Sequence, residues 1–166
     1  MRHYKIKPLS GCCLAAICLL SPQAQAQSIA TSELAISMVI TSECQIGTVN
    51  DLSFGQTTGQ STPIDQTASF DVRCSAETPF TVGIDQGSTA NATQRYLTGL
   101  NTSLQVPYQL FRDEARTQTW GNDAETRLSA SGTGSNQAIM VYGRVPDLAS
   151  AMPDTYTDNV TLSVAY

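Results

Sequence analysis

The chain has 166 residues, with nine Lys and Arg against fourteen Asp and Glu, one His, and a formal net charge of −5 at pH 7. That balance leaves no basic patch for nucleic acid or an anionic membrane surface. The length suits one ordinary domain.

Residues 1–26 read as a secretory signal peptide. Arg2, Lys5 and Lys7 form a positive lead, GCCLAAICLL (11–20) a ten-residue apolar run, and Ala24-Gln25-Ala26 a small-x-small cleavage site. The apolar run is too short to span a bilayer. The sequence LSGC (9–12) looks like a lipid-attachment box, but the apolar run follows Cys12 instead of preceding it. Cleavage after Ala26 would remove three basic residues, the one His and no acidic residue, leaving six Arg, no Lys and a formal charge of −8. Of five cysteines only Cys44 and Cys74 would remain. An even pair in an exported protein reads as a disulfide. It would close a loop of about 31 residues, which contributes roughly 3.5–4 kcal/mol in the chain-entropy model. Two buried thiols and a metal pair are the alternatives, and a metal site needs further ligands.

The rest of the chain is a run of short alternating segments, the signature of half-buried strands. ELAISMVIT (33–41) puts Leu34, Ile36, Met38 and Ile40 on one face. LSFG (52–55) is a short extra strand. ASFDVRC (68–74) turns Phe70, Val72 and Cys74 inward, and PFTVGID (79–85) does the same with Phe80, Val82 and Ile84. QVPYQLF (105–111) offers Val106, Tyr108 and Leu110, and AIMVYGRV (138–145) offers Ile139, Val141 and Val145. The stretch YTDNVTLSVAY (156–166) places Tyr156, Val160, Leu162, Val164 and Tyr166 on one parity. The spacing predicts a single strand with no hairpin partner after it. Polar connectors rich in Gly, Ser, Thr and Asn separate these segments, and together they predict an all-β sandwich or barrel.

Signs of catalysis are few. Without His in residues 27–166 the commonest general base is missing. Oxidised cysteines offer no thiolate. The pairs Asp113/Glu114 and Asp154/Asp158 are the nearest candidates for carboxylate hydrolysis, and solvated turn residues are the commoner reading of such pairs. PDTYTD (153–158) lacks the spacing of a calcium loop. SGTGS (131–135) lacks the strand, helix and Lys of a phosphate loop. No metal, cofactor or nucleic acid is expected. Trp120 reads as a packing residue at a sandwich rim.

Taken together, the motifs CQIG, LSFG, FDVRCS, PFTVGIDQG, YQLFRDEARTQTWG and YTDNVTLSVAY resemble the spore coat protein U domain family, and within it the subunits of Csu-type archaic chaperone–usher pili. The resemblance covers residues 27–166 and is most specific at FTVGIDQG (80–87), YQLFRDEART (108–117) and the terminal stretch. Cys44 and Cys74 stand where the family has its disulfide. One departure lies at AMPDTYTD (151–158), where the family usually has a Gly before the last strand. The resemblance implies an immunoglobulin-like sandwich, incomplete for want of its last strand and completed by a donated one. Its partners would be a periplasmic chaperone, an outer-membrane usher and neighbouring pilin subunits, and its destination the cell surface, for attachment and biofilm formation. Residues 27–42 would be the donor segment and 43–166 the pilin domain. Leu34, Ile36, Met38 and Ile40 would fill a neighbour's groove beside Tyr156, Val160, Leu162, Val164 and Tyr166. Burying four such side chains yields about 6–12 kcal/mol gross. Residues 33–41 also read as an ordinary first strand of their own domain. Rival functions are a minor adaptor or tip-proximal adhesive subunit of the same fibre, and a secreted β-sandwich hydrolase. Thiol labelling of the denatured, unreduced exported chain is expected to find no free cysteine; two free thiols would refute the disulfide.

Overall fold

Alternation of period two lets one face of each segment pack while the other meets water, and the chain folds accordingly. The computed structural model describes residues 27–58, 63–88, 94–149 and 151–166; the signal-peptide reading of 1–26 falls outside them. The chain divides into a unit ending at Met38 and a second from Val39 to Tyr166. In the first, residues 27–38 have no secondary structure. The second holds nine strands among the described residues: β1 (Cys44–Val49), β2 (Ile64–Cys74), β3 (Pro79–Ile84), β4 (Arg95–Gly99), β5 (Gln105–Phe111), β6 (Leu128–Ser131), β7 (Asn136–Val145), β8 (Tyr156–Thr157) and β9 (Leu162–Ala165).

These form two antiparallel layers. One sheet has the order β1-β2-β7-β5-β4-β8, the other β6-β3-β9. The spine of the larger sheet is the β2–β7 ladder, which pairs Ile64 with Val145 at one end and Arg73 with Asn136 at the other. Phe70, Val72, Val141 and Val145 from that ladder meet Phe80, Val82 and Ile84 of β3 in the core. The result is the all-β, immunoglobulin-like sandwich that the resemblance implied. Cys44 and Cys74, opposite each other where β1 begins and β2 ends, are joined by a disulfide.

The structure departs from the predicted elements in several places. The terminal stretch is two strands: β8 pairs with β4 in one sheet and β9 with β3 in the other, so residues 158–161 cross between layers. Unbroken alternation looks the same whether or not a strand changes sheets. Residues 33–41 and 52–55 are not strands. β4 and β6 went unpredicted, because RYLTG and LSAS lack an alternating apolar set. Trp120 sits in the core, not at a rim. It is 1% exposed, packs on Phe70 with ring centroids 6.0 Å apart, and donates from Nε1 to the Val82 carbonyl at 3.0 Å; burial of an indole goes with such a partner.

Gly143 interrupts the apolar face of β7 for a reason. Leu52 and Phe54 occupy the space beside it, and a Cβ there would lie 2.9 Å from Leu52 Cδ1 and 3.0 Å from Phe54 Cζ. Gly143→Val is therefore expected to push both side chains off the sheet and to destabilise the domain by about 1–3 kcal/mol, with Gly143→Ala milder. Urea denaturation midpoints of the two variants check the ranking, which an equal midpoint for Val and wild type would contradict.

Candidate acceptor groove

A cleft of about 1140 Å³ opens into the core, bounded on one side by the chain from Val49 to Thr58 and on the other by Tyr156 to Val160 and Leu162. It exceeds the roughly 300–1,000 Å³ of ordinary small-molecule sites. Val49, Leu52, Phe54, Phe70, Val160 and Leu162 give it an apolar lining.

Its walls are inner faces left uncovered. Facing residues of an antiparallel pair share one side of the sheet. Ile46 faces Val72 and Val49 faces Phe70, and both partners are buried. Ile46 and Val49 therefore point inward, yet they remain 38% and 53% exposed. Across the cleft, Leu162 and Val164 face the buried Ile84 and Val82 but are only half-buried themselves. Among the described residues β1 pairs only with β2, and β9 only with β3. Each thus presents an edge without a ladder, and residues 50–58 continue from β1 with no strand structure. Free edges beside an apolar opening are a standing invitation to another strand.

Of the groove residues expected from the sequence, Tyr156, Val160 and Leu162 line the cleft. Val164 lies on the same face of β9 outside the lining, and Tyr166 is 62% exposed. The expected donor residues Leu34, Ile36, Met38 and Ile40 are 81–88% exposed.

Polar groups hold the crossing segment 158–161, among them Asp85, Ser88 and Arg95, which no sequence pattern marked for this role. Asp85 Oδ1 accepts from the Thr161 backbone N–H at 2.9 Å, and the Asp85 N–H donates to the Thr161 carbonyl at 3.1 Å. At the other end Asp158 Oδ1 accepts from the Ser88 N–H and hydroxyl at 2.9 and 2.5 Å, and its Oδ2 accepts from the Tyr108 hydroxyl at 2.6 Å. Gly87 has φ +83°, which favours glycine, and any side chain there would collide with the Asp158 carboxylate. Beneath them Arg95, only 6% exposed, donates from Nε to the Asp85 carbonyl and from Nη2 to the Ile84 carbonyl. The motif IDQGS (84–88) is thus the clamp for the last crossing.

Electrostatics follow this geometry. Burial raises the Tyr108 phenol far above its usual range, and the hydrogen bond to Asp158 adds to that, so it stays a donor. Burial also works to raise the carboxyls of Asp85 and Asp158. It is outweighed by hydrogen bonds from Thr161 and Gly87 to the first and from Ser88 and Tyr108 to the second, which hold both below the normal carboxylate range.

Of the four carboxylates weighed for catalysis, Asp158 belongs to this clamp, and Asp113 and Asp154 are occupied in turns. Asp113 accepts from the Thr117 and Gln118 backbones, and Asp154 accepts from the Asn101 and Thr102 backbones. Among the described residues no three His, Cys, Asp or Glu gather to hold a metal ion.

The model of the Spore Coat Protein U domain matches residues 30–163. One chain from the crystal structure of the CsuC–CsuE chaperone–tip adhesion subunit pre-assembly complex, from archaic chaperone–usher Csu pili of Acinetobacter baumannii, aligns with TM-score 0.56 at 26% identity. That alignment covers 76% of this chain and 40% of the other, so this chain spans well under half of that one. A chain from a chaperone–tip adhesin complex of CFA/I fimbriae aligns with TM-score 0.42 at 14% identity, over 73% of this chain and 40% of the other, too weak a likeness to support any reading. No curated protein matches in sequence.

A group whose folded pKa is depressed stabilises the fold above its unfolded pKa and loses that contribution as pH falls through the folded value. Asp85 and Asp158 are such groups. The urea midpoint is therefore expected to hold steady down to the unfolded carboxylate pKa, about 4, and to fall below it. Asp85→Asn/Asp158→Asn is expected to lower the midpoint at neutral pH and flatten the acid decline. An acid decline as steep as that of wild type would refute the role of these two groups.

Proposed function

Because the chain belongs to the Spore Coat Protein U domain family, we propose that it is a structural subunit of a surface pilus, built by donor-strand complementation through a chaperone–usher pathway. The cleft carries this reading: an apolar groove flanked by β1 and β9, each with one edge outside any ladder among the described residues. A single extended segment laid between residues 50–58 and β9 would satisfy both needs at once, pairing backbone and covering Ile46, Val49, Val160 and Leu162. In the periplasm a chaperone strand fills the groove. At the outer-membrane usher, residues 33–41 of a neighbouring subunit replace it, and the fibre that results serves attachment and biofilm formation. The likeness to a chaperone–tip adhesion subunit complex supports the same partners. The family points to a structural role and away from hydrolysis.

Residues 33–41 suit the donor role in pattern as well as exposure. Their inward parity carries Leu34, Ile36, Met38 and Ile40, bounded in phase by Ser32 and Ser42. A one-residue slip turns every side chain to the other face, so parity decides the test. Ile36→Asp and Met38→Asp are expected to abolish fibres while chaperone-bound subunit still accumulates in the periplasm. Ser37→Asp is expected to leave fibre yield close to wild type. Ile36→Asp subunits that fail to fold even with chaperone present would place 33–41 in the subunit's own core and end the donor assignment.

A further inference from the structure

With residues 33–41 seated in a neighbour, as proposed above, any pull along the fibre reaches this domain through residues 41–43, where Glu43 and Ser75 exchange hydrogen bonds, and then meets Cys44, the first residue of β1 and the first covalent tie to the sheet. β1 is an edge strand whose partner is β2. Its ladder is short: Gln45 and Ile46 face Arg73 and Val72, and the register then slips before Val49 meets Phe70. The same chain runs on into residues 50–58, one wall of the cleft. That wall is tied to β2 at Asn50, which donates from its backbone N–H to the Ser69 carbonyl at 3.0 Å and from Nδ2 to the same carbonyl and the Ser69 hydroxyl at 3.1 Å each. Held by hydrogen bonds alone, β1 would open rung by rung from Cys44, and the cleft wall would follow.

The disulfide changes the path of the load. The first rung, Cys44 opposite Cys74, is covalent. Cys74 is buried at the end of β2, and the β2–β7 ladder beyond it runs unbroken from Arg73↔Asn136 to Ile64↔Val145. Tension arriving at Cys44 can pass through the bridge into that central ladder instead of along the backbone of β1 into residues 50–58. We infer that the Cys44–Cys74 disulfide is a positioning element for the groove under tension: it keeps a pull on a subunit's own N-terminal segment from peeling β1, and with it the wall that grips the next subunit's strand, away from β2. General stabilisation by loop closure acts at rest and under load alike, whereas this role appears only under load.

The test uses fibres of the full chain, assembled oxidised and then held singly at fixed load, before and after a dithiol reductant, with freed thiols counted per subunit. Fibres of the Cys44→Ser/Cys74→Ser double variant form a second arm. Forced opening follows the unfolding barrier, so loss of the bridge is expected to shorten lifetime under load about tenfold or more, while subunit loss from unloaded fibres changes less than about threefold. Unchanged lifetimes under load once the thiols are free, or an equal shortening at rest, overturn the inference. The donor assignment is judged apart from this, by whether Ile36→Asp subunits still form fibres.

Discussion

A sheet edge carries backbone donors and acceptors that need partners, and an inner face carries apolar side chains that need cover. Among the described residues β1 and β9 each lack both beside the same cleft. Everything around the cleft is arranged about that gap. Leu52 and Phe54 reach across bare backbone at Gly143, so one wall stands although residues 50–58 have no strand structure. Asp85 and Asp158 hold the other wall through the crossing at 158–161. Neither wall rests on a full ladder, which leaves both edges available for a strand laid between them.

The clamp at the crossing shows how polar groups serve a sandwich that is short of backbone pairing. Residues 158–161 leave one sheet before they join the other, and their amides would otherwise go unanswered. Carboxylates answer for them, and each is itself satisfied by several donors, which keeps it ionised despite partial burial. Arg95 lies under both, capped on two carbonyls rather than in a direct ion pair. Burying a cation is costly unless its donors are used. Here the nearby negative charges of Asp85 and Asp158 offset part of that cost.

On the proposed reading, the same chain carries the gap at one end of its fold and the means to fill another copy's gap at the other. The disulfide stands between the two, at the point where the exposed N-terminal segment becomes β1. A bond that staples a loop and a bond that separates two mechanical joints are one covalent link seen at rest and under load. Its location at the first rung, rather than in mid-strand, is what makes the second role possible.

Much of the domain was legible in the sequence because period two is a local signal. Phe70, Val72, Phe80, Val82, Ile84, Val106, Tyr108 and Leu110 were placed inward from alternation alone, and all are buried. The Cys44–Cys74 pairing needed only the count of cysteines and an exported chain. What alternation does not encode is which strand pairs with which. A stretch such as 156–166 keeps its parity whether it stays in one sheet or passes to the other, so the crossing at 158–161 was decided by tertiary structure. The same holds for Arg95, which reads as a surface residue until Ile84 and Asp85 turn their carbonyls toward it, and for β4 and β6, whose partners rather than their own residues make them strands. The groove itself is a property of two edges far apart in sequence. Only folding brings them to the same opening.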